Sequence, residues 1–277
     1  MRKFAFSILA FAALVFISCG GGNQKDDATP SDEPKEGPDT MVYGLACDGT
    51  NDSVVVLLLF SGEDPITYNV EEAKRNGRII GQLQIGDWIG VMPSKEDTTE
   101  ATMVVDLDQL KGTWTYEVRP TWKDASKMSR RALKNKMSEI PDSLKDAYMV
   151  PREYGFTLKR SSKASQVGFI MRSNSLEDDS PVEYPAVKNY VGWKCRNGHL
   201  ILMSRGNFTG TKEDTKAKLT LDTLEFVMMT NDSLVVMKRN GEQVRLHRKE
   251  SAFEANAEAS KAAKKTSDAQ TNSSIGK

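Results

Sequence analysis

Leu110-Lys111-Gly112-Thr113-Trp114-Thr115-Tyr116 is the stretch whose reading decides the fold. A glycine followed by alternating bulky and hydroxylated residues is the pattern of a chain leaving a turn and entering a strand with two distinct faces. The same grammar returns downstream. Tyr190-Val191-Gly192-Trp193-Lys194 and Asn197-Gly198-His199-Leu200-Ile201-Leu202 read as a strand, a tight turn and a second strand. Residues 219–227 and 232–236 follow as paired strands, Asn240-Gly241 makes another turn, and residues 242–248 alternate polar and apolar.

The Leu-x-Gly-x-Trp opening and this ordered set of strands resemble the lipocalin-like domains of Bacteroidetes lipoproteins over about residues 106–249. The resemblance implies an antiparallel barrel in which Trp114 plugs the closed end. It also implies non-catalytic binding of one small apolar molecule in the barrel mouth, for which eight strands leave room. Trp193 joins Trp114 as a candidate ligand contact.

The chain departs from that pattern at residues 123–149, which read as a helical insertion. Asp124 is a suitable cap. Ala125, Met128, Ala132, Leu133, Met137 and Ile140 recur at three- and four-residue steps, beside a basic stripe of Lys127, Arg130, Arg131 and Lys134. Two roles follow. The helix is a lid, with Met128, Leu133 and Met137 over the barrel mouth, or it covers the outside of the sheet. Trp122, next to the insertion and outside the alternation, is the candidate exposed contact.

Residues 41–105 hold short β-like runs between turn residues. Residues 53–60, apolar from Val54 onward, read as a strand buried on both faces or as a barrel core strand. In Ile85-Gly86-Asp87-Trp88 the glycine suits a strained turn and the aspartate suits bonding to nearby amides. The expected fold class is therefore mainly β, a small N-terminal β-domain (41–105) packed on a lipocalin-like antiparallel barrel with a helical insertion. Residues 250–277 are expected to be a disordered tail.

The first residues carry a different signal. Met1-Arg2-Lys3 is a short positive head, residues 4–17 are apolar or small, and Ser18-Cys19-Gly20 follows. That run is too short to span a bilayer comfortably and suits a signal peptide, residues 1–18. A small residue, Cys and a glycine run resembles the lipobox of bacterial lipoproteins, implying lipidation of Cys19 and a membrane anchor. Gln24-Lys25-Asp26-Asp27 resembles the export signal of surface lipoproteins in the same group, implying display on the outer face of the outer membrane. Residues 19–40 otherwise lack large apolar residues and are expected to be an acidic, disordered tether.

Composition narrows the chemistry. Lys+Arg number 38 and Asp+Glu 38, so there is no basic footprint for nucleic acid. Beyond Cys19 the cysteines are Cys47 and Cys195, which fit a disulfide or two separate buried thiols equally. His199 and His247 lack partners at metal-ligand spacing, and no nucleophile elbow, phosphate loop or dinucleotide fingerprint occurs. The expectation is a binding module without enzyme activity, metal or cofactor. Its partners are the membrane, through the lipid, and an apolar small molecule. The alternative is a structural or accessory subunit that binds a partner lipoprotein or polysaccharide at the cell surface. A barrel filled by its own side chains favours the alternative; an open one favours ligand binding.

Overall fold

The computed structural model describes residues 38–140, 148–168, 181–209, 216–252 and 254–257. Cys19, Gln24, Lys25, Asp26 and Asp27 lie outside them, as do residues 141–147 of the insertion and most of the tail.

Two antiparallel systems follow each other along the chain. The first is a six-stranded sheet of β1 (Val42–Ala46), β2 (Val54–Leu59), β3 (Ile66–Asn69), β4 (Ile79–Ile80), β5 (Trp88–Pro93) and β6 (Ala101–Asp106). Its order is β3-β2-β1-β5-β6-β4, with only the short edge strand β4 running parallel to its neighbour. Helix α1 (Glu71–Arg75) places Ala73 under the sheet. The Gly86-Asp87 turn forms as expected: Gly86 takes φ 94°, and the Asp87 carboxylate accepts from the Gln84 amide at 2.7 Å.

Alternation along β5 and β6 explains how this sheet meets the rest of the chain. Ile89, Val91 and Val104 point into the sheet's own core with Val55, Leu57 and Tyr68. Trp88, Met92, Met103 and Val105 point the other way, into a second core shared with the barrel. The strand pair buried on both faces is thus β5–β6. Strand β2, read as such from its unbroken apolar run, buries only Val55 and Leu57 fully, while Val54, Val56 and Leu58 are half-buried. It is next to the edge strand, where nothing packs on its outer face as closely.

A one-turn helix, α2 (Leu107–Leu110), links the two systems; Asp106 caps it, accepting from the Gln109 amide at 2.8 Å. Approach is tight here. A Cβ on Gly81 (φ 105°) would lie 2.6 Å from Gln109 Oε1 and 2.9 Å from Met229 Cε, so only glycine fits.

The second system is an eight-stranded antiparallel sheet. Its strands are β7 (Gly112–Val118), β9 (Arg152–Leu158), β10 (Ala164–Val167), β12 (Lys188–Arg196), β13 (His199–Asn207), β14 (Leu219–Met229), β15 (Ser233–Lys238) and β16 (Gln243–Lys249). Apart from β10 and β12, each pairs with the next in chain order, and β16 returns to pair with β7 (His247 opposite Thr115). The remaining gap, between β10 and β12, is bridged where Trp193 N donates to Ser162 O and its indole Nε1 to Lys159 O, both at 2.8 Å. The result is a nearly closed, up-and-down antiparallel barrel. The Asn197-Gly198 turn joining β12 to β13 has φ 48° and 72°, the conformation that suits a two-residue hairpin.

Between β7 and β9 the insertion begins with β8 (Thr121–Trp122), which pairs with β11 (Val182–Glu183) as a separate ribbon. Asp124 does not cap a helix: it adopts a left-handed φ of 60° and holds Lys127 by its carboxylate at 2.9 Å. Helix α3 (Arg130–Ser138) starts later, capped by Ser129, whose hydroxyl accepts from Ala132 N. The tail also begins differently from the expectation. Asn256 bonds both backbone groups of Glu153 (2.6 and 2.7 Å), beyond the point where β10 stops pairing with β9, and Ala255 is buried. An unpaired stretch of strand backbone is what recruits it.

Candidate functional site

The two ends of the barrel differ. At the end facing the six-stranded sheet, Trp114 is 0% exposed and donates its indole N–H to Leu110 O at 2.8 Å. Arg248 stacks over that ring, 4.2 Å from its centroid, and donates to the carbonyls of Asn231 (2.6 Å), Lys111 (2.8 Å) and Gln109. Gly112, at φ 123°, makes room: a Cβ there would sit 2.6 Å from Arg248 Nη1. This end is sealed.

Toward the other end lies a cavity of about 450 Å³. Inward positions of successive strands line it: Tyr116 of β7, Phe156 of β9, Tyr190 of β12, Leu202 of β13, Leu224 of β14, Val236 of β15, and Val244 and Leu246 of β16. Phe156 and Tyr190 meet edge to face, with ring centroids 5.8 Å apart. Residues 186–188 cross the cavity's edge, held by Tyr154, whose hydroxyl donates to Pro185 O at 2.9 Å. Tyr184 anchors the same segment: its hydroxyl reaches Val150 O at 2.5 Å, and Arg152 lies 3.7 Å from its ring centre.

Charge is confined to the rim. Lys188 pairs with Asp222 at 2.5 Å and Lys238 with Glu242 at 3.0 Å. Arg239 donates to Thr223 Oγ1 at 3.1 Å. Burial pushes the phenol of Tyr190 well above its usual range, and the nearby Asp222 carboxylate and Tyr116 add to it. Tyr116 is raised chiefly by burial too, against the opposing effect of Lys238. Both hydroxyls therefore keep their protons and can donate.

Of the residues singled out from sequence, Trp114 and Trp193 are both buried but line the closed end and the seam, not the cavity. Trp193 lies 6.1 Å from Trp88 of the six-stranded sheet, ring to ring. Trp122, expected to be exposed, is 8% exposed because the β8–β11 ribbon encloses it opposite Val182. Met128, Leu133 and Met137 are half-exposed, α3 buries no residue, and none of the three lines the cavity. Cys47 and Cys195 are free thiols. Cys195 Sγ lies 3.8 Å from Met41 Sδ, and β1 carries Cys47 six residues further on. At about 3.3 Å per residue that places it some 20 Å away, far beyond disulfide reach. Burial pushes the Cys195 thiol up to about 12, so it is inert. Among the described residues no cluster of His, Cys, Asp and Glu could hold a metal ion.

Sequence reading missed Tyr116, Tyr190, Asp222 and Arg239. The first was within reach, since Tyr116 stands two residues after Trp114 and so on the same face of the strand.

No protein-family model matches the chain, and no curated protein matches it. Among solved structures it is similar to a lipocalin-like protein from Bacteroides thetaiotaomicron, at 17% identity and a TM-score of 0.26, over 50% of this chain and 94% of that one.

Proposed function

We propose that this protein is a non-catalytic binding module that holds one small, largely apolar molecule inside its barrel, while a lipid on Cys19 tethers it to the outer membrane at the cell surface. The cavity carries the binding reading: about 450 Å³ lies within the range of small-molecule sites, and its walls are mostly aromatic and aliphatic. A barrel filled by its own side chains would have favoured an accessory subunit instead. The tether and the surface location rest on the sequence of residues 1–27.

Binding is tested by titrating the Cys19→Ala protein with N-phenyl-1-naphthylamine, an uncharged apolar probe whose fluorescence rises on burial. Saturable binding that Leu224→Trp abolishes is expected, because the indole would fill the cavity. A Leu224→Trp protein that is folded and binds the probe as before would refute the site. The anchor is tested separately. Cys19→Ala should move the protein out of the membrane fraction. Replacing Lys25, Asp26 and Asp27 by Ala should protect it from protease added to whole cells.

A further inference from the structure

Three groups on the cavity have unused bonding capacity. The hydroxyls of Tyr116 and Tyr190 face it, and neither makes a hydrogen bond to protein among the described residues. Neither hydroxyl is among the fully buried polar atoms that lack a partner, so each is left to water in the cavity; a ligand that displaces that water is held if it offers an oxygen acceptor and penalised if it does not. The third is Arg239. The charged residues around the opening are Lys188, Lys238, Arg239, Asp222 and Glu242, three basic and two acidic. Asp222 is matched by Lys188 and Lys238 by Glu242, which leaves Arg239 with only the Thr223 hydroxyl and no carboxylate among the described residues.

We infer that the ligand is an amphipathic anion: its apolar body fills the barrel, its acid group stays at the opening beside Arg239, and the two tyrosine hydroxyls bond its oxygens. A purely apolar molecule would displace water from the two phenols without replacing its bonds and would gain nothing from the exposed guanidinium. A cation would face three basic side chains, with both carboxylates, Asp222 and Glu242, already paired. The inference rests on the binding reading above and adds the polarity and orientation of what is bound.

Octanoate and its methyl ester separate the contributions, because the ester keeps the carbonyl oxygen and loses the charge. Each is titrated by calorimetry into the Cys19→Ala protein. Octanoate should bind about threefold more tightly than the ester, as expected of a charge-assisted contact at an exposed guanidinium. Arg239→Gln should collapse that ratio towards one, and Arg239→Lys should retain part of it. Tyr116→Phe and Tyr190→Phe should weaken both compounds, about threefold each, and leave the ratio standing. Arg245→Gln removes the same charge from an exposed position of β16 that does not line the cavity and should leave the ratio unchanged. Equal affinities for acid and ester, or a ratio that survives Arg239→Gln, overturn the inference. So does a ratio that Arg245→Gln abolishes equally, since that would reflect net charge alone. If the naphthylamine probe binds but octanoate gains nothing over its ester, the apolar site stands and the anion falls. If neither the probe nor octanoate binds, both fall.

Discussion

The closed end and the open end of one barrel use the same kinds of residue to opposite effect. At the closed end an aromatic ring, an arginine and several carbonyls satisfy each other: Trp114 bonds Leu110, and Arg248 covers the ring and takes three carbonyls. At the open end, aromatic rings and an arginine again lie close together, but Tyr116, Tyr190 and Arg239 have bonding capacity left over. A matched polar cluster stabilises the fold. One left to water costs little and keeps affinity for something else. The contrast assigns permanence to one end of the barrel and exchange to the other.

The strongest way to break this contrast is at Arg248. Arg248→Met keeps apolar cover on Trp114 but orphans the carbonyls of Gln109, Lys111 and Asn231. A loss of about 3 kcal/mol is expected, or roughly 6–12 °C in melting temperature. A urea melt superimposable on that of the parent would show that the seal is not where stability resides. Trp114→Phe should cost about 2 kcal/mol, through the lost bond to Leu110 and incomplete filling of the space, with probe binding kept. Loss of probe binding at unchanged stability would instead place Trp114 in the site.

Asp106 sharpens the comparison through pH. It is 1% exposed at the sealed junction, and burial, assisted by Asp87 and Asp108, pushes its carboxyl up to about 6. The folded state therefore holds this proton more tightly than the unfolded chain, whose value is near 3.9. The resulting stability is complete below about pH 4 and is lost as pH rises through about 6. Asp106→Asn keeps an acceptor for the Gln109 amide and removes the charge. It should gain on the order of 1–2 kcal/mol over the parent at pH 7 and lose that advantage at pH 4. An advantage independent of pH would contradict the assignment.

The smallest effects belong to the open end. Removing a hydroxyl that bonds nothing should leave stability within about 0.5 kcal/mol or raise it slightly, so Tyr116→Phe and Tyr190→Phe should melt with the parent. A loss above 1 kcal/mol in either would mean that its hydroxyl already has a structural partner.

Legibility in the sequence followed the range of the interactions. Strands and tight turns are local patterns, and Gly-Asp, Asn-Gly and the alternation around Trp114 all formed as read. Burial on two faces depends on what a distant segment brings. Thus β2 looked doubly buried and was not, while β5–β6 gained its second contact surface from the barrel. Trp122 stands outside any alternation, and only the pairing of β8 with β11 encloses it. Arg248 was visible merely as the end of an alternating run, since its partner Lys111 stands 137 residues earlier. The cavity is a still weaker signal in the sequence, being set by which inward side chains stop short of each other.

The strand order also determines how the barrel is assembled in time. Apart from the break between β10 and β12, each barrel strand pairs with the next in the chain, so all pairings of this sheet but one close loops between successive strands, and only β7–β16 joins the two extremes. Loop closure is costlier and slower for distant segments, so this seam forms after the meander has zipped. Arg248 clasps that seam through Lys111 and Gln109. It therefore acts as a latch set late in folding, and its removal belongs in the unfolding rate: Arg248→Met should open faster while refolding at nearly the parental speed.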